Sequence, residues 1–189
     1  DLVLSLLENV CDEMARHGLM KIILFSGHGG NRWLIPLFVQ TLVESAKPYV
    51  VYDAHVSVAS EAREVLETEE TGHACESETS TSLHLHPDLV KMDQIPPEPF
   101  TNLRRNAALQ DVGAYSPMDW YAMYPAMYVG DASKATAEKG RVLLESRVAG
   151  LVALIRQVKA DTTTAELQRE FYRRMKDPNS PDVWTESEA

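Results

Sequence analysis

Met20-Lys21-Ile22-Ile23-Leu24-Phe25-Ser26 runs directly into Gly27-His28-Gly29-Gly30-Asn31, and this junction decides the fold class. The first stretch is a short apolar run typical of a buried strand, and residues 31–45 beyond the glycines have helical character. A strand, a glycine turn and a helix in this order are typical of α/β proteins with a parallel sheet. The turn is therefore predicted at the carboxyl end of a strand, the edge at which open α/β sheets bind ligands.

The flanking sequence extends this α/β pattern in both directions. Apolar residues at helical spacing predict a helix over 2–17. Asn31 is predicted to cap the next helix, and 49–52 is predicted to be a second strand. Further helices are predicted over 79–86, 136–159 and from 163, with a long ordered loop region over 91–125. We expect one α/β domain over residues 1–160, followed over 161–189 by a C-terminal helix and a mobile polar tail.

Composition narrows the function classes. The 189 residues are 44% hydrophobic and 24% charged, as in a globular domain with a core. A net charge of −10 without any Lys/Arg run argues against nucleic acid as a partner. No apolar run approaches the roughly 20 residues of a membrane span, and no signal peptide is visible. We therefore expect a cytoplasmic protein without a membrane partner, in which Cys11 and Cys75 stay reduced.

Two further motifs accompany the glycine turn. One is His73-Ala74-Cys75-Glu76-Ser77-Glu78-Thr79-Ser80, and the other is the stretch from Tyr128 to Gly140, which contains Gly130-Asp131-Ala132-Ser133 and Glu138-Lys139-Gly140. With the turn, they resemble the creatininase (creatinine amidohydrolase) family over about residues 1–159. The resemblance implies a three-layer α/β/α fold with a mostly parallel sheet. It also implies a homo-oligomer, a hexamer in this family, that hydrolyses the C–N bond of a small amide with two divalent metal ions.

The resemblance also implies the metal ligands. His28 lies between glycines in the turn and is predicted to bind a metal. Creatininase proper carries an acidic ligand where this chain has Gly30, so Glu76 is the predicted replacement ligand. Imidazole with carboxylate suits Zn, Mn or Fe(II). If His28 and Glu76 share an ion, their nearest side-chain N and O atoms lie within roughly 5 Å of each other.

Catalytic and substrate-binding roles follow from the same motifs. His73 is at the position of the family's proton shuttle, and Glu78 is predicted to orient it. Backbone N–H groups of the Gly29-Gly30-Asn31 turn are suited to bind the substrate and to stabilise an oxyanion. Trp120 is predicted to line the substrate pocket.

One departure leaves two alternatives open. Family members begin with an E-x-H-G…D segment that supplies three further metal ligands, and this chain has no such segment. We therefore expect the domain to be N-terminally incomplete. The alternatives are a catalytically inactive relative and a phosphate- or nucleotide-binding α/β module that uses the Gly29-Gly30 turn without a metal.

Overall fold

The computed structural model describes residues 1–177, so most of the predicted polar tail lies outside the described residues. The chain divides into two compact units. The first consists of Asp1–His55 together with the chain from Val152 onward, and the second of Val56–Leu151. The predicted single domain over 1–160 stays a prediction.

A parallel pair of strands forms the centre of the first unit. Strand β1 (Lys21–Phe25) pairs with β2 (Val50–Ala54), with Lys21 opposite Val50 and Phe25 opposite Ala54. Helix α1 (Leu2–Arg16) precedes β1, as predicted from its apolar spacing. The pairing confirms the α/β class and the parallel direction. Buried side chains from these elements and from the helix between the strands form the core: Cys11, Ala15, Ile22, Phe38, Tyr49 and Val51.

The helix between the strands begins later than predicted. The glycine turn continues into a short 3₁₀ segment (Gly29–Arg32), and α2 (Leu34–Thr41) follows it. Asn31 lies inside the 3₁₀ segment, so its predicted capping role is wrong. The capping side chain is that of His28, whose ring nitrogen accepts a hydrogen bond from the Gly30 N–H.

The C-terminal helices complete the first unit. The end of α7 (Ala137–Ala160) is tied to β1, because Lys21 Nζ donates to the carbonyls of Val158 and Lys159 at 2.9 and 2.8 Å. Such contacts satisfy carbonyl groups that the last turn of a helix leaves without partners. Helix α8 (Thr163–Lys176) is tied to the start of β2, since Gln168 Nε2 donates to the carbonyls of Lys47 and Tyr49.

The second unit consists of helices joined by ordered loops. Its helices are α3 (Ser60–Arg63), α4 (Glu76–Leu85), α5 (Ala107–Gln110), α6 (Asp119–Met123) and the first part of α7. Helix α4 begins at Glu76, three positions before the predicted start, so the acidic residues of the second motif lie in its first turn. Among residues 1–177, no helix combines the length and the apolar composition that a membrane span requires.

Candidate active site

The glycine turn of the first unit is held by its own hydrogen bonds. Ser26 Oγ donates to the His28 carbonyl at 2.8 Å, and the Asn31 N–H donates to the same carbonyl at 3.1 Å. The Gly30 N–H donates to His28 Nδ1 at 3.2 Å. Two of the N–H groups predicted to bind substrate are thus engaged within the turn. This arrangement weakens the phosphate-binding alternative, which needs those groups to point at a ligand.

The ring of His28 covers the turn. A Cβ atom on Gly30 would lie 2.8 Å from His28 Nδ1, so the ring packs where only glycine leaves room. Because Nδ1 accepts a hydrogen bond, a neutral ring carries its hydrogen on Nε2. Metal-binding histidines instead donate one ring N–H to a neighbour and bind with the other nitrogen. In the described arrangement His28 therefore presents no free ring nitrogen to a metal.

The His73 loop of the second unit is anchored at its backbone and open at its side chain. The His73 carbonyl accepts from the Val129 N–H at 2.9 Å, and the Ala74 carbonyl accepts from Thr79 Oγ1 at 3.0 Å. Ala74 has a φ of 55°, in the left-handed region that residues other than glycine seldom adopt. Backbone strain of this kind concentrates at functional sites. The His73 side chain remains 49% exposed and so can reach a ligand.

Glu78 bridges the two parts of this loop. Its Oε2 accepts from the Ala74 N–H at 2.8 Å and lies 3.4 Å from His73 Nδ1. One carboxylate oxygen thus contacts both the strained backbone and the imidazole. This is the geometry that the predicted orienting role requires, and the role itself stays a prediction.

Glu76 has a different environment from that of Glu78, two positions away. Its side chain is fully buried, and hydrogen-bond donors surround its carboxylate. These donors are the N–H groups of Glu67 and Thr68, Thr68 Oγ1, and Lys139 Nζ, with distances from 2.5 to 3.1 Å. Lys139 Nζ also contacts Glu67 Oε1 at 2.6 Å and the Lys134 carbonyl at 2.8 Å. We call Glu76, Thr68 and Lys139 the buried ion-pair cluster.

The cluster keeps Glu76 charged. Burial alone would raise the pKa of its carboxyl, but hydrogen bonds from Lys139, Thr68 and the backbone of residues 67 and 68 lower the pKa below its usual value. Burial likewise opposes the charge of Lys139, and Glu67 and Glu76 together raise the pKa of the ammonium. Each charge therefore stabilises the other in a site with little access to water.

These contacts bear on the predicted metal ligands. No group of three or more His, Cys, Asp or Glu side chains suited to a metal occurs among residues 1–177. The Glu76 carboxylate is fully occupied by protein donors, and His28 offers no free ring nitrogen. The described residues therefore do not fit a complete metal site. His28 belongs to the first unit and Glu76 to the second, and the 5 Å separation stays a prediction.

Trp120 packs within the second unit at an exposed position. Its side chain is 41% exposed, its ring lies 5.2 Å from the ring of Tyr124, and its Nε1 donates to Met127 Sδ at 3.0 Å. Tyr124 in turn donates to Glu70 at 3.1 Å. Trp120 remains partly exposed, as a pocket-lining residue requires, and its contact with substrate stays a prediction.

Sequence reasoning missed Lys139 and Thr68. Lys139 lies 63 residues from Glu76 along the chain and Thr68 lies eight residues from it, and neither carries a catalytic signature. A signal was present in Lys139-Gly140, because a glycine inside a helix indicates a close approach of another backbone. A Cβ atom on Gly140 would lie 1.9 Å from the Ser80 carbonyl oxygen of α4, so this approach brings Lys139 to Glu76.

Comparisons with known proteins agree with the motifs. The family model described as creatinine amidohydrolase matches residues 1–155. A creatinine amidohydrolase from Pseudomonas putida is 25% identical over 168 aligned positions, covering 79% of this chain and 60% of that protein. The chain thus spans about 60% of the length of this curated relative.

Solved structures show the same relationship. A proposed creatinine amidohydrolase from Bacteroides fragilis is 29% identical with a TM-score of 0.70, over 82% of this chain and 60% of that one. A creatininase variant complexed with creatine is 24% identical with a TM-score of 0.63, over 82% of this chain and 64% of that one. These likenesses confirm the creatininase-like α/β fold. Because the family model matches most of its length, the chain belongs to the creatininase family.

Proposed function

We propose that this chain is part of an amidohydrolase that cleaves the C–N bond of a small amide. The substrate classes are a creatinine-like cyclic amide, a formamide and a peptide end. The observation that carries the proposal is the arrangement of His73, Ala74 and Glu78 within a chain of the creatininase family. An exposed imidazole beside a carboxylate, on a backbone held in a strained conformation, is suited to proton transfer.

The proposed role of His73 is to protonate the departing nitrogen. When the C–N bond breaks, its electron pair stays on nitrogen, which then needs a proton to leave as a neutral amine. A positioned imidazole supplies that proton, and such a step contributes typically about 100- to 10,000-fold. Glu78 would orient the ring through Nδ1, which lies 3.4 Å from its Oε2.

Divalent metal dependence is part of the proposal. Creatininase has been solved as a Mn form, and a mutant creatininase has been solved as a Zn-Zn form. Residues 1–177 do not form a complete metal site, so the steps above are assigned to the chain's own side chains. The absence of such a site among these residues is also what the inactive-relative alternative predicts. Turnover by the full-length protein separates the two.

Glu78 is better placed than Glu76 to act on a ligand. Its side chain is 55% exposed and contacts His73, whereas Glu76 is enclosed by donors. For Glu76 to bind a metal, Lys139 would first have to leave its carboxylate. We propose that Glu78 supplies the carboxylate of the site and that Glu76 fixes the start of α4.

Substitution of His73 tests the proposed reaction. In the full-length protein, His73→Ala should lower kcat about 100-fold or more and leave bound metal near the wild-type level. If the His28 ring leaves the Gly30 N–H to bind a metal, His28→Ala should lose metal and activity together. Turnover of creatinine and of formamides, with metal content by elemental analysis, measures both effects.

His84→Ala is the matched control, because His84 is an exposed histidine near the end of α4 in the same unit. It should retain kcat. Unchanged turnover in His73→Ala would remove the proposed acid, and loss of metal from that variant would make His73 a ligand.

Homo-oligomerisation is also proposed, at the hexameric size that the family resemblance implies. Large apolar side chains are exposed around α6, where aromatic residues and Met of the kind enriched at interfaces occur together: Met118, Trp120, Tyr121 and Met127. Light scattering on the full-length protein should show an assembly larger than a dimer. A stable monomer would contradict this proposal.

A further inference from the structure

A second carboxylate–imidazole pair lies in the first unit, outside the glycine turn and the two other sequence motifs. His55 Nε2 lies 2.8 Å from Asp53 Oδ2. The His55 side chain is 65% exposed, whereas that of Asp53 is only 13% exposed. A mostly buried carboxylate thus holds an imidazole that faces outward.

The hydrogen bond fixes which nitrogen of His55 is available. A carboxylate accepts hydrogen bonds and donates none, so Nε2 carries the hydrogen. In the neutral ring Nδ1 is then an acceptor with a free lone pair. Asp53 therefore presents His55 as a hydrogen-bond acceptor of fixed tautomer.

The position of the pair is defined by the sheet register. Ala54 is opposite Phe25, so His55 follows the end of β2 just as Ser26 follows the end of β1. Paired strands are about 4.8 Å apart. The pair and the glycine turn thus follow neighbouring strands at the ligand-binding edge of the sheet.

The position of Asp53 also lowers the stability of the folded protein, which an ion pair exposed at the surface would not do. Its second oxygen, Oδ1, is buried and has no hydrogen-bond partner among residues 1–177. Leaving a buried acceptor without a donor destabilises the folded protein. Such a loss of stability is expected at residues that have a functional role.

We propose that His55, held by Asp53, is a substrate-binding residue whose Nδ1 accepts a hydrogen bond from an N–H group of the amide substrate. This inference rests on the proposed amidohydrolase function and narrows its substrate class. The preferred amides carry a hydrogen on nitrogen, and fully N-substituted amides bind less well. Asp53 is a positioning residue that acts through His55.

Two formamides test the binding step directly. N-methylformamide and N,N-dimethylformamide share the same carbonyl and differ in the N–H group. With full-length protein labelled with ¹⁵N at histidine, the Nδ1 signal of His55, identified by its loss in His55→Phe, should shift with the first compound and not with the second. Asp53→Asn should alter the tautomer signature of His55 and weaken that response. Equal responses to the two compounds, or none, would overturn the inference.

Kinetics provides the second measurement. His55→Phe keeps a planar ring and removes the acceptor, so KM for a hydrolysed N–H amide should rise about 10-fold while kcat stays within about 3-fold. His17→Phe is the control, because His17 is an exposed histidine at the end of α1. Equal KM values in the two variants would refute the role of His55. If the wild type hydrolyses no amide, the proposed function fails, while the NMR titration still decides whether His55 binds an N–H group.

Discussion

Replacing Lys139 with methionine is expected to lower the free energy of unfolding by about 3–5 kcal/mol. The side chain of Glu76 is fully buried and that of Lys139 is 14% exposed. The substitution removes the cation and leaves the carboxylate enclosed without its counter-charge. Urea unfolding followed by circular dichroism measures the loss.

Lys134→Met is the matched control for this substitution. Lys134 is exposed, and Lys139 uses only its backbone carbonyl, which the substitution leaves in place. A change within about 0.5 kcal/mol is expected there. Equal stability of the two variants would show that the buried ion-pair cluster contributes nothing.

The effect of Lys139→Met should depend on pH. The pKa of Glu76 is lowered from 4.5, so its contribution is present above that value and is lost as the pH falls through the folded pKa. The pKa of Lys139 is raised from 10.5, so its contribution is present below that value and is lost as the pH rises through the folded pKa. The difference in the free energy of unfolding between wild type and variant should therefore be largest from about pH 5 to pH 10. It should become smaller in acid. The double variant Glu76→Gln/Lys139→Met should recover part of the loss, because it leaves no buried charge unpaired.

Gly140→Val is expected to destabilise the protein by about 3 kcal/mol, at the upper end of overpacking effects. A Cβ atom at this position would lie 1.9 Å from the carbonyl oxygen of Ser80 and 2.9 Å from the backbone nitrogen of Thr81. These are backbone atoms of α4, so no side chain can rotate to relieve the clash. The start of α7 must move away from α4, which also breaks the hydrogen bond from the Thr136 N–H to Ser80 Oγ. Thermal and urea unfolding measure the change.

Gly29→Ala is the control, since a Cβ atom there meets no other atom within 4 Å. It should leave stability nearly unchanged. The double variant Gly140→Val/Lys139→Met should lose less free energy of unfolding than the sum of the two single losses. The reason is that moving α7 already separates Lys139 from Glu76. Additive losses would argue against a coupling between the helix approach and the ion pair.

Local periodicity was enough to predict the elements that position the glycine turn. Helix α1 and the two strands have strong apolar patterns, and the order strand, turn, helix is sufficient for a parallel pair. The predicted start of α2 is wrong because Asn31, a favourable cap by residue type, lies inside a 3₁₀ segment that the His28 ring caps, and α2 begins only after that segment, at Leu34. A contact between a ring and a backbone N–H two residues away leaves no periodic signal.

The sequence was enough to identify the motif around His73, but not to predict the different environments of its two glutamates. Glu76 and Glu78 are equivalent by residue type and differ by only two positions. Their difference arises from the donors that enclose Glu76 alone, and one of these is Lys139, 63 residues away. A contact at that separation depends on how α7 packs against α4. Gly140 indicates that another backbone approaches α7, but the sequence does not indicate that this backbone is α4.

The chain contains two cysteines, and each unit buries one of them. Cys11 is 1% exposed in the first unit, and Cys75 is 0% exposed in the second. A thiol reagent can modify either side chain only after the surrounding structure opens, so the modification rate at each site reports the opening free energy of its own unit. The native sequence therefore provides two independent probes of local unfolding without any introduced label.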